Sequence, residues 1–175
     1  MKLLTERLVL RPVKISDAED MFYYSRDLRV GSLAGWKPHS TVKETRKIIK
    51  LIFKDRIGVF GIEYQGKLIG TIGVVPDERR QNDDFMMLGY SLSPEYWGRG
   101  IMTEAAREVI AYAFSSLGAK YISAYTYPEN EASKRVLEKL GFEFDHCASK
   151  TDKLYTGEVK DSLCFILEKK EPFYE

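Results

Sequence analysis

Two cysteines and two histidines are all that this 175-residue chain has of those types. Cys147 and Cys164 stand too far apart for a CxxC redox or zinc motif, so both read as ordinary thiols of a reducing compartment. No apolar run approaches the roughly 18 residues of a membrane span. The opening MKLLTERLVLRP carries a charge every few positions and lacks the apolar centre of a signal peptide. A membrane partner is therefore not expected, and the cytosol is the expected place of work. There is no excess of one charge either: 27 basic against 26 acidic residues leave a net charge of +1, which speaks against nucleic acid. GxxxxGK[ST] is missing, and with it the P-loop lysine. Repeats, low-complexity tracts and linkers are missing too, so residues 1–175 read as one domain.

The patterning alternates strands and helices. RLVLRPV (7–13) reads as a strand, and Ser16 as the cap of a helix over 17–27. GWKPHS (35–40) reads as a loop before a helix over 41–55. Residues 57–76 form two β-branched runs about a Gln65-Gly66 turn, a hairpin signal. A polar connection (77–84) leads to a strand over 85–93. Met102, Ala106, Val109, Ile110, Ala113 and Leu117 then share one helical face, with Gly118 at the C-cap. A strand (120–128), an Asn130-capped helix (130–140) closed by Gly141, and two strands (142–149 and 159–168) complete the list. The tail 169–175 reads as frayed.

Residues 85–128 are thus strand, helix, strand, which makes the two strands parallel with a right-handed crossover. Ligands collect beyond the carboxyl ends of such strands, and PEYWGRGIMTE (94–104) lies there. The helix after it offers about four unpaired N–H groups and a partial positive charge. Glycines at 98 and 100 keep Cβ atoms away from an anion and Arg99 adds charge, so the loop reads either as a pyrophosphate cradle or as a plain strand-to-helix turn. It is not a dinucleotide fingerprint, because Thr103 stands at the third glycine of GxGxxG.

GYSLSPEYWGRGIMTEAAREVIAYAF, followed by NEASKRVLEKLGFE, resembles the GNAT family of acetyl-CoA-dependent N-acetyltransferases, and within it the ribosomal-protein (RimJ/RimL-type) branch; TERLVLRPVKISDAEDMF resembles that branch's first strand and helix. The resemblance runs from about residue 3 to 168. It implies an α/β (α+β) fold with a mixed, mostly antiparallel sheet of six or seven strands flanked by helices, and the cofactor between splayed strands 85–93 and 120–127. The family's phosphate loop falls on Trp97, Gly98, Arg99, Gly100, Ile101 and Met102, with backbone contacts through Thr103. Asn130 is implied as a ligand of the pantetheine arm as well as a helix cap, and the backbone N–H near Leu92 as the oxyanion donor.

The tyrosine that protonates the leaving thiolate in many relatives is replaced by Leu137. Ser133, one turn earlier on the same face, is the alternative acid; a helix-start serine bonded to backbone is the other reading. The glutamate that relatives carry as base is replaced by Met87, which leaves Glu63, Asp83 and Asp84. Acceptor contacts are expected from Trp36, Tyr90, Tyr125 and Tyr127, with His39 read as surface. Arg79 and Arg80 read either as cofactor phosphate ligands or as a charged connection. The function implied is acetyl transfer to a primary amine, most naturally a protein N-terminus. The rivals are a small-molecule acetyltransferase and a non-catalytic acyl-CoA-binding module. No metal is expected, and the chain is expected to be a monomer or homodimer.

Overall fold

The computed structural model describes residues 1–170. Its eight strands form one sheet in the order β1-β2-β3-β4-β5-β6-β8-β7. They are β1 (Leu3–Leu4), β2 (Val9–Arg11), β3 (Val59–Tyr64), β4 (Lys67–Pro76), β5 (Phe85–Leu92), β6 (Tyr121–Thr126), β7 (Glu143–Lys153) and β8 (Val159–Glu168). The fold class is the expected one, and the count exceeds seven because the two-residue β1 folds back on β2. Of the neighbouring pairs only β5 and β6 are parallel. The β3–β4 hairpin turns at Gln65 and Gly66, whose φ of 50° and 80° suit the tight turn of a two-residue hairpin loop.

The helices lie on two faces. Helix α4 (Ile101–Ser116) packs Ala105, Ala106, Val109 and Ala113 onto the sheet with no exposed area. These small side chains let the helix sit close to β4 and β5. Helix α5 (Glu131–Lys139) covers the same core through Leu137. On the other face, α1 (Ala18–Ser25), α2 (Leu28–Ala34) and α3 (Val42–Ile48) build a second core around Met21, Tyr24, Val30 and Ile49.

Three local expectations change. The cap of α1 is Asp17 rather than Ser16, after a 3₁₀ turn at Ile15–Asp17. Helix α2 was not expected; Asp27 caps it by accepting the Arg29 N–H at 2.9 Å. The helix over 41–55 is α3 followed by a π-helical turn, Ile49–Phe53. Lys169 is tied down, its N–H donating to Lys120 O at 2.8 Å, and residues 171–175 of the expected tail lie outside the described residues.

The second core is joined to the sheet through Arg11. Its guanidinium donates to both Asp17 oxygens at 2.8 Å and also pairs with Glu63, and Arg11 and Asp17 are each only 7% exposed. Burial pushes the Asp17 carboxyl up, but the Arg11 bonds and the Lys14 N–H outweigh it and hold it below the ordinary 3.8. A carboxyl lowered by folding stabilises above its unfolded pKa and loses that contribution as pH falls through the folded value. Asp17→Ala is therefore expected to cost roughly 3–5 kcal/mol at neutral pH, read by urea melts. The deficit should shrink below about pH 4, near the ordinary carboxylate pKa; a deficit that does not change with pH would contradict this.

Candidate active site

Strands β5 and β6 pair from Phe85↔Tyr121 to Leu88↔Ala124 and then part, although β5 runs on to Leu92 and β6 to Thr126. Ser93 N–H donates back to Ile69 O at 2.8 Å. The alternation of an antiparallel ladder therefore turns the Leu92 N–H and C=O away from β4, into the gap. The Leu92 C=O accepts the Trp97 indole N–H at 2.8 Å, which pins the glycine loop to the end of β5.

A cleft of about 420 Å³ opens from this gap. Leu92, Trp97, Gly98, Gly100, Ile101, Met102, Thr103, Asn130 and Ser133 of the expected cofactor set line it, together with Arg135 and Lys139. Gly98 and Gly100 sit at φ of 72° and 73°, and a Cβ on Gly98 would meet nothing within 4 Å. The space in front of Gly98 is thus open, and Gly100 caps α4 without a side-chain cap hydrogen bond. Bare amides together with two cations suit a pyrophosphate. Met102 turns into the main core rather than crowding the loop. The Arg99 side chain is the exception in the set: its guanidinium lies over the Tyr96 ring at 5.3 Å and lines neither cavity.

The loop is buttressed from the N-terminal hairpin. Glu104, in the first turn of α4, accepts from Thr5 Oγ1 at 2.6 Å, Arg7 N at 2.9 Å and Arg7 Nε at 2.7 Å. Burial pushes its carboxyl up, and these bonds outweigh it to leave the group below its usual range. Arg7 Nη1 also donates to Arg99 O at 3.1 Å, which fixes that carbonyl.

A second cavity, of about 690 Å³, lies on the α1–α3 side. Trp36, Tyr90, Tyr125 and Tyr127 of the expected acceptor set line it, with Met87 and His39. Tyr90, Ser91, Asn130 and Ser133 line both cavities, so the two meet there. At the junction the Tyr90 hydroxyl lies 2.9 Å from Ser133 Oγ, joining residues from β5 and α5. Burial pushes the Tyr90 phenol up to about 12, with the Ser133 bond opposing, so it stays protonated at neutral pH. Asn130 Oδ1 accepts the Ser133 N–H at 3.1 Å, the cap of α5. Tyr24 is 2% exposed, and Thr71 Oγ1 lies 3.1 Å from Ser91 Oγ.

Other expected residues are not brought here. Glu63 lines neither cavity, and its Oε2 accepts from Arg11 Nε, which holds it on the β2–β3 side of the sheet away from the junction. Asp83 and Asp84 line neither cavity, and Asp84 pairs with Lys120 at 3.1 Å. Arg79 and Arg80 are absent from the cofactor cleft. Arg79 bonds Asp152 at 3.1 Å and stacks on Tyr125 at 4.4 Å, while Arg80 pairs with Asp145. The Tyr125 hydroxyl is turned to the buried Asp77 at 3.1 Å, so Tyr125 offers the acceptor cavity its ring. His39 is not on the surface: it is 9% exposed and packs beside Trp36 with ring centroids 5.4 Å apart.

Comparison with known proteins agrees with this geometry. The family model described as an acetyltransferase (GNAT) domain matches residues 7–143. Uncharacterized N-acetyltransferase YoaA of Bacillus subtilis (strain 168) is 32% identical over 147 residues, covering 79% of this chain and 81% of YoaA. The ribosomal protein uS5-alanine N-acetyltransferase of Escherichia coli (strain K12) is 28% identical over 180 residues, covering 95% and 90%. The crystal structure of a GNAT-family acetyltransferase from Bacillus anthracis superposes with a TM-score of 0.84 at 24% identity, covering 96% of this chain and 98% of that one. With the family model spanning most of its length, the chain belongs to the GNAT acetyltransferase family and is an N-acetyltransferase that uses acetyl-CoA.

Proposed function

We propose that the acceptor is the α-amine of a protein N-terminus, as in the ribosomal-protein branch. The observation that carries this reading is the state of the carboxylates in the acceptor cavity. Among the described residues only Glu44 and Asp152 line it. Glu44 accepts the Ser40 N–H at 2.6 Å, and Asp152 is paired with Arg79. Both carboxylates are thus already engaged, Glu44 through one oxygen and Asp152 by an ion pair. An α-amine with a pKa near 8 is about a tenth neutral at pH 7, whereas a lysine near 10.4 is neutral roughly once in a few thousand molecules. The name of the Escherichia coli relative, an alanine N-acetyltransferase of a ribosomal protein, supports the same class.

Acetyl-CoA supplies the thioester whose C–S bond breaks. In this reading the loop amides of Gly98 to Thr103, with Arg135 and Lys139, bind its phosphates. The Leu92 N–H, facing the gap, donates to the carbonyl oxygen as charge develops there. Ser133 gives a proton to the departing sulfur, and the Tyr90 hydroxyl keeps Ser133 aimed. A thiol of pKa near 8.5 is a fair leaving group, so a weak acid suffices.

Peptides with a free α-amine are expected to be acetylated with the highest kcat/KM in a panel that also holds α-blocked lysine peptides and small amines. Preference for a blocked lysine peptide or a small amine would contradict the acceptor assignment. Gly98→Val should raise the dissociation constant for coenzyme A by about tenfold or more, read by calorimetry; an unchanged constant would remove the loop from the cofactor site. Ser133→Ala should lower kcat by more than it raises KM, and unchanged values for both would leave the serine as a helix-start residue only.

A further inference from the structure

The acceptor cavity contains a base that is not a carboxylate. His39 follows the loop after α2, and its N–H donates to Ser25 O at 3.0 Å. Its Nδ1 lies 2.9 Å from Thr45 Oγ1 in α3. That hydroxyl has one proton, and it donates it back to Thr41 O at 3.3 Å. With the Thr45 proton assigned to Thr41 O, Nδ1 is the donor to Thr45 and the neutral ring carries its lone pair on Nε2. Among the described residues Nε2 has no hydrogen-bond partner, and it is not one of the fully buried polar atoms without one. It therefore keeps some accessible surface, and His39 lines the acceptor cavity.

We propose that His39 Nε2 takes the proton from the substrate's ammonium group. The proposal rests on the amine-acetylation reading above. The acceptor R–NH₃⁺ gives one proton to Nε2 and becomes a nucleophile. Its nitrogen forms the C–N bond as the C–S bond breaks, a second proton reaches the departing sulfur, and the imidazolium discharges its proton to water. Burial holds the His39 imidazole below its ordinary 6.5, with Glu44 only partly opposing, so the ring is neutral and able to accept at pH 7. The other charged groups around the cavity are Lys37, Arg56, and Arg79 with its partner Asp152.

Two measurements test it. His39→Asn keeps an N–H for Thr45 and removes Nε2. With an α-amine peptide, wild-type kcat/KM should stay flat between about pH 6.5 and pH 8, while the variant's should fall about tenfold per unit below pH 8, following the free amine. Parallel profiles would overturn the assignment of His39 and leave the acetyltransferase reading intact. Absence of wild-type turnover on every amine, with acetyl-CoA bound, would overturn that reading and the proposal together. Independently of activity, ¹⁵N imidazole shifts of the wild-type protein should report Nδ1 protonated and Nε2 bare at neutral pH. The opposite tautomer would overturn the proposal.

Discussion

The parting of β5 from β6 beyond Leu88 and Ala124 is the constraint around which the molecule is arranged. Two parallel strands that stop pairing leave backbone N–H and C=O groups facing a gap inside the fold. Such groups need partners. The protein supplies one itself, the Trp97 indole on the Leu92 carbonyl. The Leu92 N–H is left for a ligand. The N-terminus of α4 and its bare glycine loop stand at the mouth of the same gap, a geometry that suits an anionic ligand.

Everything that touches this gap is braced from a distance in sequence. Glu104 gathers Thr5 and Arg7 against the start of α4, and Arg7 reaches on to the Arg99 carbonyl. Arg11 joins the α1 entry to the sheet through Asp17 and Glu63. The result is two cavities, one lined by the loop and α5 and the other walled by α1 to α3, which meet at the Tyr90–Ser133 hydroxyl pair. In the proposed reading donor and acceptor meet at that pair, and Leu33 and Ala34 of α2 line both cavities. In the proposed mechanism the groups assigned to the chemistry are neutral hydroxyls, an amide and an imidazole.

How much of this was legible in the sequence follows from how local each signal is. Helix α4 announces itself by a long one-face repeat, the β3–β4 turn by Gln65-Gly66, and the cradle by glycines ahead of a helix. These are contiguous patterns. Helix α2 is seven residues long with Gly31 inside, too short and too mixed to show a period. The pairing of Tyr90 with Ser133 spans 43 residues, and each residue alone suggested a different role. Glu63 was a plausible base until the β2–β3 register set it beside Arg11, a neighbour no spacing rule supplies. His39 sits among a proline and a serine and looked like surface, because the groups that bury it and fix its ring come from α3 and from Trp36.

Amide hydrogen exchange with and without coenzyme A tests the central claim most directly. The account predicts that the ligand slows exchange at Leu92 and across Gly98 to Thr103, while the paired stretch of β5 from Phe85 to Leu88 changes little. Protection confined to other parts of the sheet, or none at Leu92 and the loop, would contradict the account of the strand gap as the cofactor site.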